Sequence, residues 1–231
     1  MKTKFLYLLF FTSVCFAQKT TGVVTYEITI GDDPRALLRE IDKQTLRNAQ
    51  KLASEIEFNL YFTSTESYFE ISSLPIDYNY FSDLFIESST QPEYSVYCNL
   101  TNKEYTYSFY YEFKSEHYLL KDKANYNWNI TAESKSIDNF TVYKAVGTTP
   151  DEQKIEAWFA PEIPVAAGPE IYMNLPGLIL ELQIGYTMYA AKKIEFTNNY
   201  TQKIAPITKG KQINEADFLR ITNEEVEYYR K

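Results

Sequence analysis

From residue 22 the apolar positions fall on every second residue. In GVVTYEITI, Val24, Tyr26, Ile28 and Ile30 share one face of an extended chain, which predicts a half-buried strand over 22–30. Gly31, Asp32 and Asp33 break it. Asp33 is a good N-cap and Pro34 a good first helical residue. Leu38, Ile41, Ala49, Leu52 and Ile56 then recur at helical spacing and predict a helix over 36–53. At 1.5 Å per residue such a helix is roughly 30 Å long, enough to lie across a sheet. Its other face carries Arg39, Lys43, Arg47 and Lys51 and needs only water.

The period returns to two at Ile56, Phe58, Leu60 and Phe62, and a further strand follows at 68–71. Residues 72–92 mix Ser, Asp and Pro and predict a long loop. The clearest alternation lies in 104–113, where Tyr105, Tyr107, Phe109, Tyr111 and Phe113 make one face wholly aromatic. These rings are either core or cross-strand ladder, or they are a platform that faces a ligand. Strands are also expected at 116–121, 126–131, 139–146, 153–160, 178–186 and 187–196. A C-terminal helix is expected over 214–230, capped by Asn214, with a second capped turn after Thr222 that holds Glu224 and Glu225. The fold class read from this pattern is mainly β with α: a curved antiparallel sheet or partly open barrel, with a long N-terminal helix and a C-terminal helix.

Composition narrows the setting. The formal net charge of −8 makes the chain a poor ligand for phosphate backbones, so DNA and RNA are not expected partners. The first residues read as an export signal: Lys2 and Lys4, an apolar run over 5–16, and small residues at Cys15 and Ala17. The run is about 12 residues, short of the roughly 20 that span a bilayer. Cleavage is placed after Ala17, leaving 18–231 as one β-rich domain. Lipidation at Cys15 is the weaker alternative, because Val14 is large for the residue before a lipidated cysteine. Cys98 is then the one cysteine left. It reads as a buried, small apolar residue, or else as a nucleophile that would need His117, the one histidine, beside it.

Catalytic signatures are sparse. One His and one mature Cys do not build a zinc site, and H-E-x-x-H, G-x-S-x-G and a Gly-rich phosphate loop are all missing from the sequence. No metal and no cofactor are expected. Paired carboxylates are the enzyme route left open, and 31 acidic residues make coincidental pairs easy.

A final pattern stands at 174–182, NLPGLILEL. Pro176 presets φ for the second position of a β-turn, and Gly177 is expected to supply the φ > 0 of a type II turn. Leu178, Leu180, Leu182 and Ile184 then share one face of the strand that follows, with Ile179 on the other. With Trp128, Lys144, Ala157, Trp158, Phe159, Ile163, Pro164, Gly168 and Pro169 upstream, this stretch resembles the GLPGLI family of Bacteroidota, exported proteins named for the motif. Here the motif reads Asn174, Leu175, Pro176, Gly177, Leu178, Ile179, with Asn in place of the first Gly. Asn tolerates φ > 0 better than other side chains, so the turn can survive. The resemblance extends over most of the mature chain, least over 72–123. Val142 stands where many members have Cys, so a disulfide expected elsewhere is missing. The resemblance implies an exported β-rich protein and brings no catalytic residue.

The function expected from these features is non-enzymatic: a periplasmic or cell-envelope protein that binds an apolar small molecule or lipid, or a periplasmic or outer-membrane protein. The alternatives are a two-carboxylate hydrolase and a structural partner of an outer-membrane assembly.

Overall fold

A computed structural model of the chain describes residues 20–32, 40–74, 94–149 and 153–229. Twelve strands form one sheet: β1 (Gly22–Ile30), β2 (Glu57–Phe62), β3 (Glu66–Ser73), β4 (Ser95–Asn99), β5 (Glu104–Tyr111), β6 (Glu116–Lys123), β7 (Asn129–Ile137), β8 (Phe140–Thr148), β9 (Lys154–Ala160), β10 (Leu178–Ile184), β11 (Thr187–Phe196) and β12 (Lys211–Ile213). The helices are α1 (Glu40–Ala53) and α2 (Glu215–Tyr229). The spatial order is β12-β6-β5-β4-β3-β2-β1-β11-β10-β9-β8-β7.

The strands expected from alternation are present, but the expected architecture is not. The sheet is mixed, because β12 runs parallel to β6. It is open, with β12 and β7 at its two ends, so it is not a barrel. β12 arrives over a long connection, 197–210, and not through a hairpin, which leaves the parallel direction available to it. Neither end offers a long flat edge: β12 has three residues, and β7 breaks register with β8 between Ile130 and Ser134. Among the described residues there is also no long N-terminal helix. α1 has 14 residues, about 21 Å at 1.5 Å per residue, and it ends in a turn where Glu55 N–H bonds the Leu52 carbonyl and Ile56 N–H that of Ala53. Asp33, Pro34 and the loop residues 75–92 lie outside the described residues, as do the leader-like residues 1–17. No helix among the described residues is long and apolar enough to cross a membrane.

Connectivity requires the sheet to bend. β6 and β7 stand ten places apart in the order, about 48 Å if the sheet were flat. Only residues 124–128 join them, a reach of about 20 Å at full extension. The two halves therefore turn toward each other. Buried side chains of β1 to β6 and of β8 to β11 consequently share one core with Leu46, Ala49, Leu52 and Ala53 of α1.

The inner face is set by register. Val24, Leu60, Phe69, Val96, Tyr107 and Leu120 lie opposite one another from β1 to β6. Phe58 stacks on Phe69 at 5.1 Å, and Tyr189 meets both rings edge-on. The 197–210 connection begins on the opposite face, where the Tyr200 ring lies 5.4 Å from that of Tyr61 and Lys203 Nζ reaches the Tyr61 hydroxyl at 3.1 Å and Glu70 at 2.8 Å.

Residues 161–177, between β9 and β10, form an irregular strap buried in this core. Ile163, Val165, Ala167, Met173 and Leu175 are all at 1% exposure or less. A buried irregular backbone must still satisfy its N–H and C=O groups. Here distant aromatic side chains complete the bonding. Trp128 Nε1 donates to the Met173 carbonyl at 2.8 Å. The Tyr126 hydroxyl donates to Ile171 O and accepts from Met173 N–H, each at 2.6 Å. Within the strap, Asn174 N–H bonds Ala166 O, while Leu178 and Ile179 N–H bond Ile163 O and Ala167 O.

The C-terminal helix follows its predicted cap. Asn214 Oδ1 accepts from Asp217 N–H at 2.8 Å. No second cap forms at Thr222, whose hydroxyl bonds back to the carbonyls of Phe218 and Leu219 within a continuous helix.

Candidate functional site

The aromatic face of β5 lies on the inner side of the sheet, against α2. Tyr105 is buried and its hydroxyl donates to Glu215 at 2.9 Å. Glu215 N–H in turn bonds Asp122 of β6 at 2.9 Å, so an acid sits at the helix N-terminus where the dipole favours it. Phe109 meets Phe218 of α2 edge-on at 5.4 Å and stacks on Tyr118 at 5.8 Å. The Tyr111 hydroxyl reaches the Ile221 carbonyl at 3.4 Å. Phe113 has left the strand, which ends at Tyr111; it stands in a 3-10 turn (Glu112–Lys114) with Lys114 Nζ 5.1 Å from its ring.

Tyr107, Phe109 and Tyr111 nevertheless remain half-buried. Tyr107 is the exception in its row: Val24, Leu60, Phe69, Val96 and Leu120 beside it are fully buried. Its hydroxyl is pushed well above the ordinary value, first by burial and then by the charges of Glu215 and Glu170.

Glu170 shares both properties. It is the one charged residue between 163 and 179 and keeps partial surface exposure. Its carboxyl is enclosed and its pKa raised from 4.5, with burial the largest cause and a hydrogen bond from the Tyr189 hydroxyl opposing it. The charge of Glu170 helps raise Tyr94 as well, after burial. The Cys98 thiol reaches the Glu170 carbonyl at 3.6 Å. Glu170 also sits at φ 54°, a left-handed conformation that side chains other than Gly seldom adopt. Among the described residues no lysine or arginine is paired with it. The Glu170 carboxyl thus accepts from Tyr189 and acts on Tyr94 and Tyr107, while the aromatic row of β5 runs on toward α2.

One consequence is a pH dependence of stability. The raised pKa means that above the ordinary value of 4.5 the folded protein binds more protons at Glu170 than the unfolded chain. Its contribution therefore turns unfavourable as pH rises from 4.5 through the raised value. Glu170→Gln, which keeps an acceptor for Tyr189, is expected to melt higher than the parent at pH 7, with the gap closing below about pH 4.5. Thermal melts of both proteins across that range check it; a gap independent of pH would mean that the carboxylate's charge carries no penalty.

The motif residues lie at the end of the strap and the start of β10. Leu175, Leu178 and Ile179 are buried, and Ile179 accepts a hydrogen bond from the Tyr26 hydroxyl on its carbonyl at 2.5 Å. Pro176 is exposed. The left-handed residue is Asn174, at φ 76°. Gly177 does not have the positive φ expected of a type II turn. Its lack of a side chain serves a close approach: a Cβ there would lie 2.3 Å from Ala160 O and 2.8 Å from Pro161 N. Ile179 is also buried with its neighbours, because a register shift between Ile179 and Glu181 interrupts the alternation.

Cys98 is a free, buried thiol, and burial pushes it up to about 12. It pairs across the sheet with Tyr105, whose partner on β6 is Asp122, five residues from His117. His117 instead lies opposite Tyr110, rings 5.0 Å apart. The register therefore keeps Cys98 and His117 apart.

Tyr94, Glu170 and Tyr189 were not anticipated. The available signal was a lone acid in an otherwise uncharged apolar stretch; which tyrosines would surround it depends on strand order.

A family described as a protein of unknown function (Porph_ging) matches residues 147–181, the part of the chain that holds the strap, Glu170 and the 174–179 turn. No curated protein matches the chain. The fold is similar to that of PNGF-II in its C2 crystal form, with a TM-score of 0.55 at 16% identity over 87% of this chain and 32% of the PNGF-II chain. The P21 form of PNGF-II gives the same score and identity over 33% of its chain. This chain thus spans about one third of PNGF-II. At that identity the likeness shows the fold alone. The match agrees with the expectation of a family without an assigned function, and it is confined to residues 147–181.

Proposed function

We propose that this is an exported, non-enzymatic protein of the GLPGLI type that binds an apolar small molecule or lipid in the periplasm or at the outer membrane. The observation that carries the reading is the half-buried aromatic row Tyr107, Phe109 and Tyr111 on the inner face of the sheet. Aromatic rings with accessible surface inside a bent sheet present apolar area that a ligand would remove from water, at about 25 cal/mol per Å². The leader-like pattern of residues 1–17 supports export, and the motif at 174–179 supports the family.

The test uses the purified full chain. Organic extraction and mass spectrometry are expected to recover a co-purifying apolar molecule, and the delipidated protein is expected to bind an environment-sensitive naphthylamine dye saturably. A chain that yields no such molecule and shows no saturable dye binding overturns the reading.

A further inference from the structure

We infer that α2 is a displaceable cover: it closes over the aromatic row of β5, and an apolar ligand takes the place of Phe218 and Ile221 against those rings. The inference rests on the apolar-ligand reading above and adds how access to the row is controlled.

Three observations carry it. The first is that helix and ligand would use the same surface. Phe218 meets Phe109 edge-on at 5.4 Å, and the Tyr111 hydroxyl donates to the Ile221 carbonyl at 3.4 Å. Both rings nevertheless keep accessible surface, as Tyr107 does beside them. The cover is therefore incomplete. What it covers is continuous: the ring centroids of Tyr105, Tyr107, Phe109 and Tyr111 follow one another at 6.5, 5.6 and 6.4 Å. A ligand laid along these rings needs no preformed cavity, because it occupies area that the helix gives up.

The second is uneven attachment. The start of α2 is fixed. It follows β12 directly, Asn214 caps it, Asp122 accepts from Glu215 N–H, and Glu215 accepts from the Tyr105 hydroxyl. Beyond the first turn the apolar contact comes from Phe218 and Ile221, one turn apart, while Leu219 between them is 53% exposed. Further along stands an ion pair, Lys114 Nζ to Glu224 at 2.9 Å, with side chains 37% and 44% exposed. Arg220 shares the same carboxylate at 3.0 Å. Ion pairs this exposed contribute little. The start of the helix is thus a pivot and the pair at Glu224 a weak latch.

The third is the helix itself. An isolated helix of 15 residues is marginal in water, so α2 owes its order to the sheet. Elements with few buried contacts open at low cost. Once lifted from the sheet, α2 would fray, which makes the displacement measurable.

Dye titration and hydrogen exchange of the delipidated full chain test this. A cover that stays closed lowers the apparent affinity by the fraction of molecules that are open. Phe218→Ala removes the ring set on Phe109, and it is expected to bind the naphthylamine dye about tenfold tighter than the parent. Lys114→Glu, a change at an exposed position, should bind the dye about two- to fivefold tighter, and adding Glu224→Lys should bring it back to within about twofold of the parent. In the parent, saturating dye should speed amide exchange over 218–224. A fixed wall of the site would behave in the opposite way: Phe218→Ala would bind the dye more weakly, and dye would slow exchange in α2. Either result overturns the inference and leaves the apolar-ligand reading standing, as does an affinity unchanged in both Phe218→Ala and Lys114→Glu. If the dye binds none of these proteins, both fall.

Discussion

Gly177→Ala is expected to be among the most damaging single changes in this chain. A Cβ at residue 177 would stand 2.3 Å from the Ala160 carbonyl oxygen, 2.6 Å from its carbon and 2.8 Å from Pro161 N. All three are backbone atoms, so no rotamer change relieves the overlap. The two segments are also tied together: Leu178 pairs with Ala160 across the β9–β10 ladder, and Leu178 N–H bonds Ile163 O. Overpacking against mobile side chains costs about 1–3 kcal/mol, and an obstruction made of backbone belongs at or above the top of that range. Denaturant unfolding should show a midpoint lowered accordingly, with the slope unchanged. A loss under about 1 kcal/mol would show that the turn can move aside, and that close approach is not why glycine stands there.

The second large effect is expected at Leu180. Its side chain is fully buried between Ile179 and Leu182, which are equally buried. Leu180→Ala should cost about 2–5 kcal/mol, as lost transfer energy plus the cavity left behind. The upper part of that range applies if the surroundings cannot collapse. They are constrained here, since Ile179 on one side is packed against Gly168 and holds the Tyr26 hydroxyl on its carbonyl. Equilibrium unfolding measures it, and a change below about 1 kcal/mol would place Leu180 outside the rigid core.

Both effects meet where the 174–179 turn leads from the strap into β10. Its residues position a buried irregular segment, and that segment carries Glu170. The motif and the candidate site are thus two parts of one local structure. Leu175 and Met173 anchor it, Gly177 lets it turn closely past β9, and Asn174 supplies the left-handed step.

Some of this was legible from residues alone. Alternation in Val24, Tyr26, Ile28 and Ile30 identified the inner face of β1, and the same period found the β2, β5 and β10 segments. Asn214 announced α2 through its own side chain. These signals are local: a period of two or a cap is written within a few neighbouring residues. The failures were equally local in origin. Gly177 was read for the conformation glycine permits, whereas its role is set by Ala160, seventeen residues away in sequence and adjacent only in the sheet. Thr222 has the composition of a cap, yet the helix runs through it because Phe218 and Ile221 pack on β5.

The sequence by itself determined most of the strands and, for β1, β2 and β5, which face is apolar. Only the tertiary structure decided that the sheet is open and mixed, that the strap fills its interior, and that Glu170 meets Tyr189 with Tyr94 and Tyr107 nearby. The physical reason is range. Strand order joins residues far apart, such as Tyr26 and Ile179, separated by 153 positions, and nothing in either neighbourhood names the other. A tyrosine at an apolar position announces burial, but the carbonyl or carboxylate that its hydroxyl meets is chosen by the fold.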